Sequence, residues 1–338
     1  PMVPAVNQIS AGVIFNYPLM LELALNNGVH RQSGLQLGPR TGDPADFSSL
    51  ADIEDAFERQ FEALYRPAMA FKNADMYLYD TQMPCPLISS FYGSCLERGD
   101  DFFHHGIDPY AGHVTGICGL PNIADSLAAI QKVVFEDKAA TMAELSRALA
   151  ANFEGCDELL RSLRAAPKFG NDLDEVDLIA RRVLLRSSKF VCEHHTWNGR
   201  KCAIGCIGMT VNIPYGEILG AMPDGRLAGE PLSEGGISPY QGRNTSGVSS
   251  TLASVAALDQ TRLSHGSILN LRISKKAVES ERNLEKLADA LRIFCETGGD
   301  LVQFNFVDTN TLRDAQQHPE RYRDLLVRVA TYSAYFVE

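Results

Sequence analysis

Apolar residues recur at helical spacing along much of the chain. In "LADIEDAFERQFEALYRPAMA" (50–70), Ile53, Phe57, Phe61 and Leu64 fall on one face of a helix. "PNIADSLAAIQKVVF" (121–135) repeats the pattern through Ile123, Leu127, Ile130 and Val134. Thr141 and Glu144 stand in capping-box spacing before "LSRALAANF" and predict a helix start there. "EVDLIARRVLLRSSKFV" (175–191) and "NLEKLADALRIFCET" (283–297) predict two more amphipathic helices, the second stopped by Gly298 and Gly299. Between these lie short apolar, β-branched runs that predict strands: "IGCIGMTVNI" (204–213), "SILNLRI" (267–273) and "LVQFNFV" (301–307). Helices alternating with short apolar strands predict an α/β fold, either a barrel or an open sheet.

One segment breaks the pattern. Residues 212–247 hold eight glycines and four prolines, and "PDGR" at 223–226 is turn chemistry. Ile218, Leu219, Met222 and Ile237 are too apolar for a linker, which predicts an ordered loop with a task. The segment contains no G-x-G-x-x-G and no Walker sequence, so nothing in it predicts a phosphate cradle.

Composition narrows the class. The 338 residues are 45% hydrophobic and 22% charged, which suits a globular chain with a sizeable core. The formal net charge of −11 comes without a basic run and argues against nucleic acid or an anionic membrane surface as partner. The longest apolar candidate, "AGVIFNYPLMLELAL", carries Asn16 and Glu22 and falls short of the ~18 residues of a membrane span. Eight cysteines are scattered without a C-x-x-C pair, and no leader pattern opens the chain; both predict a reduced, cytoplasmic protein. The first residue is Pro1, so the natural start is expected upstream.

Candidate chemistry is sparse at the level of residue spacing. His104–His105 and His194–His195 are adjacent pairs, and neighbours on a strand point to opposite faces, which makes them poor joint ligands. There is no H-E-x-x-H, no Cys/His zinc spacing and no G-x-S-x-G, so no metal site is predicted.

Longer motifs carry more. "LELALNNG" (21–28), "LGPRTGDP" (37–44), "PNIADSLAAIQKVVFEDK" (121–138), "VNIPYGEILGAMPDGRLAGEPLSEGGISPYQGR" (211–243) and "VQFNFVDTNTLRDAQQHPERYRDLLVRVATYSAYFVE" (302–338) resemble the glycyl radical enzymes, the pyruvate formate-lyase-like family, nearly end to end. The resemblance implies an α/β barrel of about ten strands made of two half-barrels with helices outside. Residues 1–338 would form the C-terminal part of that barrel, with the glycine-loop region at 326–338. It also implies a lyase mechanism. In that family mechanism no separate cofactor would be bound; a backbone glycyl radical, installed by a radical S-adenosylmethionine activating enzyme, would pass to a cysteine thiol, which would then take hydrogen from a small-molecule substrate. A homo-oligomer, usually a dimer, is expected with it.

The chain departs from the family pattern at both essential places. The family's Cys-x-Glu loop would precede Pro1. At the other end, in "RVATY", Thr331 takes the radical-glycine position between Arg328 and Tyr332. Glycine reaches backbone angles closed to β-branched residues, so the chain as written is expected to hold no radical. Two readings stay open: a radical lyase, or a radical-dead relative that binds a metabolite or partner. For the lyase, "QISAGVIFNYP" resembles the arylacetate decarboxylases and points to carbon–carbon cleavage. A diol-dehydratase-like C–O lyase is the alternative, although Ser10 and Ala11 stand where those members carry a substrate-contacting Asp. Asn212, Ile213 and Tyr215 are the pocket-lining candidates by family position, expected at the end of a barrel strand.

Overall fold

Five short strands run parallel and follow one another in chain order. The computed structural model describes residues 12–107, 113–207, 210–329 and 332–336. Strands β1 (Val13–Asn16), β2 (Val114–Cys118) and β3 (Ala203–Gly205) form one sheet, in register Val13↔Thr115 and Val114↔Ala203. Strands β4 (Leu269–Arg272) and β5 (Val302–Asn305) pair Leu269↔Val302 through Arg272↔Asn305. A single parallel bridge, Cys206↔Ser267, joins the end of β3 to the start of β4. The order β1-β2-β3-β4-β5, all parallel, with a helix in each crossover, is the half-barrel that the resemblance implies.

The strands explain themselves by burial. All five residues of β2 are buried, as expected of a parallel strand covered on both faces. In β4, Leu269 and Leu271 enter the main core while Asn270 and Arg272 occupy the other face. The register then puts Gln303 and Asn305 of β5 on that second, polar face, with Val302 and Phe304 against the core.

The helices pack on the apolar face. Helix α1 (Tyr17–Ala24) follows β1 directly, started by the Asn16 side chain. Helix α2 (Leu50–Gln82) opens on a Ser49–Asp52 capping box and runs 33 residues, past Pro67. Ile53, Phe57 and Phe61 are fully enclosed beside Tyr17, and Leu64 packs at their margin. Helix α3 (Leu120–Ile130) continues as a π-helical turn to Glu136. The Thr141–Glu144 capping box forms as expected and starts α4 (Met142–Ala150). Helix α5 (Asp174–Cys192) packs on α3 and α2. Helix α6 (Glu281–Glu296), between β4 and β5, ends at Gly298, whose φ of +106° is open to glycine.

One expected strand is shorter than its apolar run. Strand β3 stops at Gly205, residues 208–209 lie outside the described residues, and Asn212–Glu217 is a short helix, α7. Pro214 has no N–H to give a ladder, but it fits a first helical turn, where N–H groups have no intrahelical acceptor. Asn212, Ile213 and Tyr215 therefore sit on a helix and not at a strand end.

Candidate functional site

Two features meet the carboxyl ends of the parallel strands, the edge at which α/β sheets bind ligands. The first is built around α7. The Tyr215 hydroxyl donates to the Ile14 carbonyl at 2.6 Å, and the Asn16 side chain donates to the Tyr215 carbonyl at 3.1 Å, so α7 is pinned against β1. Asn212 is buried, and its carbonyl accepts from Leu232 N–H at 2.9 Å. Ile213 is 50% exposed.

The glycine-rich segment after α7 has little secondary structure of its own, so side chains must satisfy its backbone. Arg226 is fully buried and donates to the carbonyls of Gly216, Gly220 and Leu227 at 2.7–2.9 Å. Asp224 accepts from Arg226 N–H at 3.0 Å, from the Asn122 side chain at 2.9 Å and from Arg243 at 2.9 Å. Arg243 also reaches Asp125 at 3.2 Å and lies over the Tyr240 ring. Burial pushes the Asp125 carboxyl up to about 6, against the pull of Arg243 and Lys168. Gly236, at φ +102°, lies so close to β3 that a Cβ would meet the Cys206 carbonyl oxygen at 2.1 Å. The task predicted for this loop is thus partly structural: it is clamped over the strand ends.

The second feature is a hairpin. Strands β6 (Leu326–Val329) and β7 (Tyr332–Tyr335) pair antiparallel in the register Leu326↔Tyr335, Arg328↔Ser333 and Val329↔Tyr332. Val329 and Tyr332 thus flank the connection between the strands, with Arg328 one residue before Val329. Thr331 itself, with Ala330, lies outside the described residues, as do Ser10 and Ala11. The hairpin docks on the last barrel strand. Arg328 N–H donates to Asn305 Oδ1 at 2.7 Å, and Asn305 Nδ2 donates to the Arg328 carbonyl at 2.8 Å. Sequence reasoning missed Asn305. The signal available was its place on the polar face of an otherwise apolar strand.

The remaining reactive types are engaged elsewhere. Burial pushes the Cys118 thiol up to about 12 and raises Cys206 further, so both are protonated packing groups at neutral pH. His194 Nδ1 bonds to the Phe190 carbonyl, and its ring packs on Tyr65 and Phe190. Among the described residues no three His, Cys, Asp or Glu side chains gather as a metal site, and no helix is long and apolar enough to cross a membrane.

Comparison with known proteins places this architecture. The pyruvate formate lyase-like family model matches residues 1–216, and the glycine radical model matches residues 233–337. The chain is 36% identical over 322 residues to the trans-4-hydroxy-L-proline dehydratase of Clostridioides difficile, covering 95% of this chain and 40% of that enzyme. It is 34% identical to the isethionate sulfite-lyase of Oleidesulfovibrio alaskensis, over 97% of this chain and 40% of the relative. The glycerol-bound structure of the B12-independent glycerol dehydratase from Clostridium butyricum superposes with a TM-score of 0.90 at 33% identity, over 96% of this chain and 41% of that one. The chain therefore spans about two fifths of the length of these relatives. With its parallel half-barrel and its C-terminal hairpin docked at the strand ends, the chain belongs to the pyruvate formate lyase-like family of glycyl radical enzymes.

Proposed function

We propose that this chain is the radical-loop-bearing part of a glycyl radical lyase that eliminates a leaving group, in the first instance hydroxyl, from a small molecule. The observation that carries this reading is the R-V-x-x-Y hairpin gripped at the carboxyl end of β5, inside a chain whose similar proteins include two dehydratases and a sulfite-lyase. These relatives favour C–O elimination over the carbon–carbon cleavage that the "QISAGVIFNYP" wording suggests. Loss of a hydrogen atom from one carbon would prepare loss of the leaving group from its neighbour. A thiol supplied by the family's Cys-x-Glu loop would take that hydrogen, and an activating enzyme would install the radical.

The residues of this chain bear on that reading in three ways. Arg328, in register with Ser333, and Tyr332, in register with Val329, lie on the two strands that lead into and out of the connection. Asn212, Ile213 and Tyr215 are the substrate-side candidates. Of these, Ile213 offers free surface, while Tyr215 has its hydroxyl engaged at β1. Thr331 replaces the glycine. A radical-glycine position draws on backbone angles that a β-branched side chain does not reach. A Cβ would also crowd an activating enzyme's approach to the α-hydrogen.

The test is electron paramagnetic resonance after anaerobic treatment with a radical S-adenosylmethionine activating enzyme and reductant. The chain with Thr331 is expected to give no glycyl signal and no turnover. Thr331→Gly is expected to give the signal. Lyase activity in the unmodified chain would overturn the assignment of Thr331, and absence of any signal in Thr331→Gly would overturn the radical-loop reading.

A further inference from the structure

The hairpin has an edge that needs a partner. Flanking residues of a two-residue connection form a hydrogen-bonded pair, here Val329↔Tyr332. Pairs alternate along an antiparallel ladder, so Arg328↔Ser333 is a non-bonded pair, and the N–H and C=O of Arg328 point away from β7. An outward N–H and C=O on one residue are a free strand edge. The Asn305 carboxamide meets both, accepting at 2.7 Å and donating at 2.8 Å. A primary carboxamide is the side-chain group that carries an acceptor and an N–H donor side by side, so it reproduces one residue of a neighbouring strand. Because it reads only backbone, it leaves the side chain at 328 free.

The base of this clasp is rigid. The backbone of Asn305 is fixed in the β4–β5 ladder, where its carbonyl accepts from Ile273 N–H at 2.9 Å. Its register partner is Arg272, which reaches Glu234 of the glycine-rich loop at 3.6 Å. Below the clasp, Phe336 N–H donates to the Leu325 carbonyl at 2.9 Å and closes the hairpin base. Asn305 thus touches β6 two residues before the connection begins and ties that height of the hairpin to the carboxyl end of a barrel strand.

We infer that Asn305 is the positioning residue of the C-terminal hairpin: by holding both backbone groups of Arg328, its carboxamide fixes the height at which β6 enters its connection to β7. The consequence for chemistry rests on the functional reading above; the clasp itself does not.

Hydrogen–deuterium exchange of the 338-residue chain, resolved over 322–336, is the deciding experiment. Asn305→Ala removes the acceptor of Arg328 N–H and is expected to speed exchange in that segment by about tenfold or more, while β2 and α2 keep their protection. Asn305→Asp keeps the acceptor and loses the donor, so it is expected to fall between the two and to serve where the alanine variant folds poorly. Unchanged exchange at 322–336 in both variants, or an equal rise throughout β2 and α2, would overturn the clasp. In the Thr331→Gly background, Asn305→Ala is expected to lower the glycyl signal by about tenfold. An equal signal there would overturn the positioning role. If Thr331→Gly gives no signal at all, the functional reading falls, and exchange still decides the clasp.

Discussion

A buried carboxylate holds the longest irregular segment of the chain in place. Asp224 is fully enclosed and serves three donors: Arg226 in its own turn, Arg243 further along the same loop, and Asn122 on α3. Removing one partner of a buried pair leaves an uncompensated charge, at a cost of about 3–5 kcal/mol. Asp224→Ala and Arg243→Ala are each expected to lower unfolding stability in urea by that amount. Both side chains belong to one network, so the double variant should cost clearly less than the sum. Strictly additive losses would show that the two residues act apart.

At the level of elements, His113 joins strand to helix and is expected to give the fold a pH dependence. It immediately precedes β2, its carbonyl accepts from Ala203 N–H, and its Nε2 meets Asn73 Oδ1 of α2 at 3.1 Å. Burial, with Lys72 adding to it and Asp75 opposing, holds its pKa down to about 4. The unfolded chain binds this proton near pH 6.5 and the folded chain only near 4, so the contribution is present above 6.5 and lost as pH falls toward 4. His113→Gln is expected to flatten the fall in melting temperature across that window, measured against wild type in matched buffers; parallel curves would remove His113 as the cause. The other elements show what local pattern can and cannot deliver. Ile53, Phe57 and Phe61 announced α2 because burial on one helical face is written in their spacing. "TVNI" read as strand because β-branched residues suit a pleated surface; Pro214, the next residue, was a local sign against it, but the contacts with β1 and Leu232 that fix α7 lie outside any short window. Asn305 escaped for the same reason: its partner lies 23 residues away, and a polar residue at a strand end looks locally like any solvent-facing one.

On the scale of the whole molecule, two parallel sheets, β1-β2-β3 and β4-β5, are linked by a single bridge and leave outer edges at β1 and at β5. The Asn305 clasp engages the hairpin at the β5 end, whereas β1 pairs only with β2 among the described strands. Free edges of apolar strands recruit other strands. A second source of association lies beyond Phe71 of α2 and in the segment after it. Phe71, Leu87 and Phe91 are 71%, 73% and 78% exposed, with Leu78, Met83 and Leu96 exposed near them in sequence. The same stretch of chain contributes Met76, Cys95, Phe102 and Ile107 to a small separate core, so these exposed side chains belong to a structured unit. Isolated exposed apolar residues are ordinary, but several together mark a surface that associates. The 338-residue chain is therefore expected to form oligomers or aggregates at micromolar concentration in reducing buffer, read by light scattering on a sizing column. Leu87→Glu with Phe91→Glu should shift the distribution toward smaller species without lowering the melting temperature, because neither side chain belongs to a core. A monodisperse monomer with cooperative unfolding would mean that the half-barrel stands by itself, and it would favour the reading of this chain as a binding protein over that of a lyase component.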